Sequence, residues 1–550
     1  MVKVFGNKLS KFKNMAKIKL IQENPVVGDI SGNLLIAKKE VEKAEENGLE
    51  LIIFSEMFLS GYPPEDLVLR SDFMEKIEVS IDELSNLTSN ISIIIGAPSK
   101  KDKEIFNSAY FLEKNEIKDI YSKQILPNYK EFDERRYFTS GKENKIIEFD
   151  GIKYGLSICE DIWSEKYVSN LVNDGAEIII NLSASPFTVT KKITREKMLS
   201  SYLKKHEVPI IYLNQVGGQD ELVFDGSSMV FFGDEEIFKF KSFEIDSKEI
   251  EITKSQELKL LIDEVEKYQP DDLEDIYNAL VLGTKDYVDK NGFKGIIIGS
   301  SGGIDSALTA TIAYDALGSS RVNTVMMPFD YTADMSIEDA KELAENLSIN
   351  HSVISIKEIY ESFSDVLQPS FENKEIDKTE ENLQSRCRGV TLMALSNKLG
   401  YLVLTTGNKS EAAVGYSTLY GDTAGGFSVL KDVSKTLVYR LSNFRNSKNL
   451  VIPERIIERP PSAELAPDQK DTDSLPDYSI LDPIIEMYVE KDMSPFDIIS
   501  KGFDEDEVRR ILRLIDLNEY KRRQVPIGIK ISDRNFGKDR RYPITNGWKP

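Results

Sequence analysis

The chain has 550 residues, 41% of them hydrophobic, and a formal net charge of −22 at pH 7. A single hydrophobic core stops growing at roughly 250–300 residues, so this length predicts at least two domains. The strongly acidic charge argues against nucleic acid or an anionic membrane as the main partner, because either would be repelled over most of the surface.

Cysteine and histidine are scarce, with two of each in the whole chain. They are Cys159, Cys387, His206 and His351. This excludes a disulfide framework and a multi-ligand Cys/His zinc site, and it favours a reducing cytoplasm. No apolar run reaches the roughly 18–20 residues of a membrane span. Residues 1–14 are basic and lack an apolar signal core, so we interpret them as an extension before a domain that begins at Met15.

In the first half, short apolar runs alternate with amphipathic stretches, which is typical of an α/β fold. The pattern predicts a strand over 17–22, a helix over 33–47 and a buried strand over 49–57. Further strands are predicted at 91–95, 108–112, 152–159, 176–182 and 209–213. The pattern weakens in the acidic stretch 243–259, so we predict a first domain over 15–260 and a second over 261–550.

The second half begins with a predicted helix over 273–291, followed by a strand over 294–298 and a helix over 307–317. Strands are also predicted at 323–327 and 401–405, each next to a helical run. This order favours a parallel sheet that binds its ligand at the carboxyl ends of the strands.

A glycine- and serine-rich loop joins that first strand to its helix. It consists of Gly299, Ser300, Ser301, Gly302, Gly303, Ile304, Asp305 and Ser306. Small residues let the backbone approach a phosphate chain, and the helix N-terminus attracts the anion. The loop lacks the lysine of a GxxxxGK[ST] motif, and Asp305 is suited to hold Mg²⁺. It resembles the pyrophosphate loop of the N-type ATP pyrophosphatases, which transfer AMP; the alternative is a turn capped by Asp305.

Three residues that follow apolar strands in the first half suggest covalent chemistry: Glu56, Lys123 and Cys159. Taken singly, a cysteine there is usually core and the other two are usually surface residues. A thiol needs a base and a neighbouring cation to react near neutral pH, and these residues supply both. In order and flanking sequence they resemble the Glu-Lys-Cys triad of nitrilase-type amidases. The resemblance implies an N-terminal nitrilase-like α-β-β-α sandwich followed by a Rossmann-like parallel-sheet ATP-pyrophosphatase domain.

The two halves together resemble the family of glutamine-dependent NAD synthetases. Long strings support this, among them NLSASPF (181–187), ENLQSRCRG (381–389) and LTTGNKSEAAVGYSTLYGD (404–422). The resemblance implies that glutamine is hydrolysed through a Cys159 thioester and that ammonia travels inside the protein to an adenylated deamido-NAD. It also implies ATP as co-substrate, Mg²⁺ as cofactor and a homo-oligomer. The alternatives are another ATP-pyrophosphatase amidotransferase with a different acceptor, and a nucleotide-binding regulator without turnover.

The same resemblance assigns binding residues. For glutamine they are Tyr129, Ser185 and Lys191, with Lys192 as the alternative to Lys191. For ATP they are the loop, Thr406 and Lys435; for deamido-NAD they are Asn382, Arg386, Glu411 and Lys521; and for Mg²⁺ they are Asp305 and Glu411. Lys130 departs from the family, which commonly has glycine there. We interpret Cys387 as a packing residue despite its two arginine neighbours, and His206 and His351 as structural.

Overall fold

The computed structural model describes residues 15–548, apart from 234–235, 255–257, 263–271, 373, 463, 467–470 and 472–474. The predicted extension 1–14 lies outside the described residues. Contacts divide the chain into two units. The first consists of Met1–Phe187, Lys191–Gly217 and Phe224–Pro270, and the second of Thr188–Thr190, Gly218–Val223 and Asp271–Pro550.

The first half of the chain contains fifteen of the described strands and four of the described helices. The strands are β1 (Met15–Gln22), β2 (Leu51–Ile53), β3 (Ser92–Lys101), β4 (Glu104–Glu113), β5 (Glu116–Ser122), β6 (Ile146–Phe149), β7 (Ile152–Ile158), β8 (Ile178–Ser183), β9 (Ile210–Asn214), β10 (Val216–Gln219), β11 (Leu222–Asp225), β12 (Met229–Phe232), β13 (Glu236–Lys239), β14 (Asp246–Lys254) and β15 (Leu258–Ile262). The helices are α1 (Ile30–Glu46), α2 (Ser71–Ser85), α3 (Glu165–Asn173) and α4 (Lys191–His206).

These strands form two sheets and the separate β10–β11 ribbon. The described strand orders are β15-β14-β1-β2-β3-β4-β5 and β13-β12-β9-β8-β7-β6. One hydrophobic core joins them, with Ile18 and Ile94 from the first sheet and Leu156 and Ile180 from the second. Helix α2 packs on β3 and β4, and α4 packs on β12. The central parallel strands are buried on both faces, which explains their continuous apolar runs. The predicted α-β-β-α sandwich is confirmed.

The end of this sheet differs from the sequence-based boundary. Strand β15 runs to Ile262 and pairs antiparallel with β14, so the predicted boundary at 260/261 falls inside a strand. The acidic stretch that weakened the α/β pattern forms β14, where polar residues alternate with the buried Ile250 and Ile252. A strand with one solvated face accepts such charges, because its side chains alternate between core and water.

The second half contains five described strands and twelve described helices. The strands are β16 (Ile296–Ser300), β17 (Val322–Met326), β18 (Asn350–Val353), β19 (Leu402–Thr405) and β20 (Phe427–Ser428). The helices are α5 (Asp272–Lys290), α6 (Ile304–Leu317), α7 (Asp334–Asn346), α8 (Lys357–Leu367), α9 (Lys378–Leu399), α10 (Lys409–Val414), α11 (Lys435–Lys448), α12 (Glu454–Glu458), α13 (Tyr478–Ile485), α14 (Pro495–Ile499), α15 (Glu505–Leu517) and α16 (Glu519–Arg522).

The five strands form one parallel sheet in the order β18-β17-β16-β19-β20. Strand β16 is central, and the chain continues to β17 on one side and later to β19 on the other. A parallel sheet binds its ligand where the strand order switches sides, outside the carboxyl ends of the strands. The loop Gly299–Ser306 leaves β16 at this place, and the predicted Rossmann-like sheet is confirmed. None of the described helices is long and apolar enough to cross a membrane.

Candidate active sites

Cys159 lies at the sharp turn that follows β7 in the first unit. Its φ is 43°, a left-handed value that few non-glycine residues adopt. Strain of this kind persists where the surrounding structure enforces it, often at functional sites. The side chain is buried, and burial, followed by the charge of Glu56, raises the pKa of the thiol well above its ordinary value, while Lys123 lowers it. The resting thiol is therefore protonated near neutral pH and needs a base in order to react.

A buried ion cluster supplies that base and a cation. Lys123 Nζ donates to Glu56 Oε1 at 2.9 Å and to Glu134 Oε1 at 2.7 Å. The side chains of Lys123 and Glu56 are both 0% exposed. Burial alone would lower the pKa of Lys123, but Glu134 and Glu56 raise it well above its ordinary value. The ammonium ion is therefore permanent, and it can stabilise an oxyanion.

The second carboxylate of this cluster, Glu134, was not predicted from the sequence. It accepts from Lys123 and also from the hydroxyl of Tyr62 at 2.8 Å, and its Oε2 has no partner among the described residues. Burial raises the pKa of Glu134 to about 7, with Lys123 opposing and Glu56 adding to the shift. The string EFDERR contains several acidic residues, so only the fold shows which one turns back towards Lys123.

Asn107 and a backbone amide fix the orientation of Glu56. Asn107 Nδ2 donates to Glu56 Oε1 at 2.7 Å, and the backbone nitrogen of Ala184 donates to Oε2 at 2.8 Å. The carbonyl of Asn107 also accepts the backbone N–H of Lys123 at 2.8 Å. One residue of β4 therefore positions both the base and the lysine.

Two of the predicted glutamine contacts, Ser185 and Tyr129, differ in burial and in hydrogen bonding. Ser185 is buried, and its Oγ has no hydrogen-bond partner among the described residues. Tyr129 is 50% exposed and donates its hydroxyl to Glu160, the neighbour of Cys159, at 2.8 Å. Buried polar atoms in proteins are nearly always paired, so the free Ser185 hydroxyl fits a bound polar ligand.

Lys191 and Lys192 are placed differently. Lys191 Nζ lies 5.3 Å from the ring centroid of Phe132, which also contacts Tyr129. Burial lowers the pKa of Lys191, whereas the charges of Glu131 and Cys159 raise it. The ammonium group of Lys191 therefore interacts electrostatically with the nucleophile Cys159. Lys192 donates instead to Ser242 Oγ at 3.1 Å. This geometry favours Lys191 as the glutamine contact.

Lys130 has a φ of 52°, which explains why a glycine suits this position. The left-handed turn forms in this chain with a lysine, at a cost of about 1–2 kcal/mol relative to an unstrained conformation. In this turn Tyr129 contacts the ring of Phe132 and donates its hydroxyl to Glu160.

In the second unit, the loop Gly299–Ser306 borders a cavity of about 270 Å³. Gly302 has a φ of 76°, and a Cβ atom there would lie 2.4 Å from the backbone oxygen of Ser336. Ser306 Oγ donates to the carbonyl of Gly303 at 2.9 Å, and the hydroxyls of Ser301 and Ser306 are 3.2 Å apart. The tight turn thus holds small residues and hydroxyl groups at the N-terminus of α6, where an anion is favoured.

Two carboxylates and a lysine meet inside this cavity. Lys435 Nζ bonds Asp305 Oδ2 and lies 3.2 Å from Glu411 Oε1. Asn408 Nδ2 donates to Asp305 Oδ1 at 2.8 Å, and its Oδ1 accepts the backbone N–H of Glu411 at 3.0 Å. Burial raises the pKa of Glu411 to about 8; Lys435 opposes this shift and Asp305 adds to it.

The donor set fits Mg²⁺. No group of three or more His, Cys, Asp or Glu side chains in the described residues forms a closed metal cage. Mg²⁺ usually binds through one or two carboxylates together with phosphate oxygens and water, so Asp305 and Glu411 suffice beside a phosphate chain. Burial and the neighbouring charge of Asp305 raise the pKa of Glu411 even beside Lys435, and a bound cation would favour its ionised form.

The remaining predicted residues lie in the same unit. Thr406 lines the cavity directly after β19. Asn382 accepts from Thr418 Oγ1 at 2.8 Å, and Arg386 donates to the carbonyl of Leu419 at 3.2 Å, so both contact one segment, as expected for one face of α9. Lys521 donates to the carbonyls of Gly415 and Ser417 at 2.7 and 2.9 Å. The described lining of the ATP-loop cavity contains none of Asn382, Arg386 and Lys521. Cys387 is 1% exposed in a hydrophobic core.

Family comparisons agree with this division. Residues 17–243 match the carbon-nitrogen hydrolase family, and residues 276–525 match the NAD synthase family. The fold and the two sites thus define a carbon-nitrogen hydrolase joined to an NAD synthase. A glutamine-dependent NAD(+) synthetase of Acinetobacter baylyi is 47% identical over 97% of this chain and 99% of its own length. One from Thermotoga maritima is 44% identical over 97% of this chain and 99% of its own length.

A solved structure supports the same family assignment. The glutamine-dependent NAD+ synthetase of Acinetobacter baumannii, in complex with adenosine diphosphate, is 43% identical with a TM-score of 0.79, covering 97% of this chain and 99% of that one. The chain therefore belongs to the family of glutamine-dependent NAD(+) synthetases.

Proposed function

We propose that this protein converts deamido-NAD to NAD⁺ with glutamine as nitrogen donor and ATP as co-substrate, and releases glutamate, AMP and pyrophosphate. The observation that carries the proposal is the presence, in one chain, of the buried Glu56–Lys123 pair beside Cys159 and of the phosphate loop beside Asp305, Glu411 and Lys435. The first site suits amide hydrolysis, and the second suits the activation of a carboxylate.

At the first site, Glu56 takes the thiol proton and the sulfur of Cys159 attacks the amide carbon of glutamine. Lys123 stabilises the oxyanion, and ammonia leaves with the proton that Glu56 returns. Water, deprotonated by Glu56, then hydrolyses the thioester and releases glutamate. Tyr129, Ser185 and Lys191 bind the substrate.

At the second site, the carboxylate of deamido-NAD attacks the α-phosphorus of ATP, and the bond to the β-phosphate breaks to release pyrophosphate. Ammonia, delivered inside the protein, then attacks the acyl carbon of the adenylate and displaces AMP. A closed route keeps ammonia unprotonated and water away from the adenylate. The loop, Thr406 and Lys435 bind ATP; Asn382, Arg386, Glu411 and Lys521 bind deamido-NAD.

Mg²⁺, held by Asp305 and Glu411, supplies charge neutralisation to the phosphate chain when bound. Asn408 orients the carboxylate of Asp305 through its Nδ2 and fixes the backbone of Glu411 through its Oδ1. Lys435 bridges the same carboxylates, and with Mg²⁺ bound there its ammonium group would be available to a phosphate.

The test is NAD⁺ formation from deamido-NAD, ATP and Mg²⁺ with either glutamine or an ammonium salt. Cys159→Ala is expected to abolish the glutamine-driven reaction and to leave the ammonia-driven one, because only the first site loses its nucleophile. Asp305→Ala is expected to stop both. Consumption of ATP with a different acceptor, and no NAD⁺, would contradict the proposal.

We also propose a cytoplasmic homo-oligomer. Both cysteines are free and buried, which suits a reducing compartment. Helix α8 has no buried residue and exposes Ile359, Phe363 and Val366 along one side. Contiguous exposed apolar groups of this kind mark association surfaces, and a second copy of the chain is the occupant proposed here.

A further inference from the structure

Three cationic side chains are among the described residues that line the ATP-loop cavity: Lys435, Arg459 and Arg388. Lys435 is paired with Asp305 and Glu411, and Arg459 is paired with Glu464. Arg388 alone of these three has no ion pair within the described part of the chain, and it makes one side-chain hydrogen bond. A cation without a carboxylate partner is therefore available in a cavity built for an anion.

The fold anchors Arg388 at the edge of the sheet where the phosphate loop begins. Its Nε donates to the carbonyl of Met327 at 3.0 Å, and Met327 directly follows β17. The last residue of β17 pairs with Ser300 of the loop in parallel register. One turn further along α9, Leu392 packs so closely on Gly299 that a Cβ there would lie 3.2 Å from it. Helix α9 thus holds Arg388 beside the loop.

The electrostatics indicate that the guanidinium group lacks compensation. Burial lowers the pKa of Arg388 to about 10, and the charges of Cys387 and Glu464 offset this only in part. A desolvated charge without a partner is costly, and an anionic ligand removes that cost. The hydrogen bond from Nε fixes one edge of the group, so the two terminal nitrogens are left for a phosphate, which they can bind in a bidentate manner.

We propose that Arg388 binds the phosphate chain of ATP through its terminal nitrogens and holds the departing pyrophosphate as AMP is transferred to the carboxylate. In that step the bond between the α- and β-phosphates breaks, the pyrophosphate takes the electron pair, and the guanidinium group stabilises the added charge. This inference rests on the proposed ATP site and adds a binding residue to it.

The test compares Arg388→Met with Arg440→Met, a control that removes the same charge from an exposed position. Binding of ATP, pyrophosphate and adenosine is measured by titration calorimetry with Mg²⁺ present. Arg388→Met is expected to weaken binding of ATP and pyrophosphate on the order of 10- to 100-fold, as for a charge-assisted hydrogen bond, and to leave adenosine binding unchanged. Without ligand, its urea midpoint is expected to equal or exceed that of the wild type, because an unpaired cation is removed.

Several outcomes overturn the inference. The first is an unchanged affinity for ATP, and the second is an equal loss of affinity for ATP and adenosine. The third is a lower urea midpoint together with proportionate losses of affinity for every ligand. The fourth is a loss of affinity confined to deamido-NAD. Arg388→Lys keeps the charge but lacks the planar guanidinium group, so it is expected to give an ATP affinity between those of the wild type and Arg388→Met. It provides a second variant if Arg388→Met does not fold. A wild-type protein that binds no ATP contradicts the proposed function itself, whereas equal binding by wild type and variant contradicts only the role of Arg388.

Discussion

The pKa of Glu134 lies near neutrality because this carboxylate is buried beside both Lys123 and Glu56. When it is ionised, it shares the ammonium group of Lys123 with Glu56 and so limits how closely Lys123 is held to the base. When it is protonated, it no longer carries the charge that draws the ammonium group of Lys123 away from Glu56. The charge state of Glu134 is therefore expected to control the geometry of Lys123 and Glu56 around pH 7.

We predict that glutamine hydrolysis falls as the pH drops through about 7, because the raised pKa means that Glu134 is protonated on the acid side. Glu134→Gln is expected to lower kcat/KM on the order of 10²-fold and to remove this limb of the pH profile. The ammonia-driven reaction serves as an internal measure of folding. Glu143→Gln, at an exposed position, is the matched control. A variant profile that keeps the limb near pH 7 would assign the titration to another group.

Asn107 allows a second prediction at the scale of one side chain. Asn107→Leu keeps a similar volume but loses the donor to Glu56, so the base is held less firmly. We expect glutamine-driven NAD⁺ synthesis to drop at least about tenfold, with no change in the ammonia-driven rate. Steady-state kinetics with the two nitrogen sources separate these effects, and equal losses with both would indicate general destabilisation instead.

At the scale of elements, the turn between β16 and α6 tolerates no side chain at Gly302. Its left-handed φ and the close backbone oxygen of Ser336 both oppose a Cβ atom. We predict that Gly302→Ala displaces the loop and lowers ammonia-driven synthesis on the order of 10²-fold.

Gly400→Ala provides the control for this element. Gly400 has a φ of 69° at the end of α9, and a Cβ there meets nothing within 4 Å. It is expected to lose about 1–2 kcal/mol of stability and no activity. Equal activities of the two variants would show that the loop adapts to the added methyl group.

The observed strands and helices also show which features of the fold and the site the sequence patterns predict. The positions of the buried parallel strands were predictable because apolar runs mark them, although the strand predicted over 49–57 ends at Ile53. Glu56 and Cys159 were singled out because residues that follow such runs meet at one edge of the sheet. Glu134 and Asn107 were not predicted, because Glu134 lies in a three-residue 3-10 helix and Asn107 within an antiparallel strand, so neither follows the end of an apolar strand. Arg388 lies in the string ENLQSRCRG, and only the structure distinguishes it from Arg386, because Arg388 lines the ATP-loop cavity and Arg386 does not.

At the scale of the whole molecule, α8 carries a prediction about assembly. Phe363 is 45% exposed on an apolar side of a helix that has no buried residue. We expect Phe363→Glu to lower the mass of the assembly in sedimentation experiments, because a charge on a surface between copies loses its hydration. An unchanged mass would show that copies associate through another surface.

The division into two units was only partly predictable from the sequence. The composition change near 243–259 suggested a boundary there, but the strand β15 continues to Ile262. Two short segments of the first half also belong to the second unit, and neither has a distinctive composition. Their membership depends on hydrogen bonds to distant residues, such as Val189 to Ile531 and Lys530 to Glu221.

Those segments limit how the enzyme can be cut into pieces. The backbone N–H of Val189 donates to the carbonyl of Ile531 at 3.0 Å, and that of Gly218 donates to Asp286 at 2.7 Å. A polypeptide that ends at Pro270 loses these acceptors, and Val189 lies in the chain between Ser185 and Lys191, two of the three residues proposed to bind glutamine. An isolated amidase half is therefore expected to be a poor enzyme. For protein engineers, an exchange of halves between relatives must carry these two inserts with the synthetase half, so the exchange needs five junctions and not one.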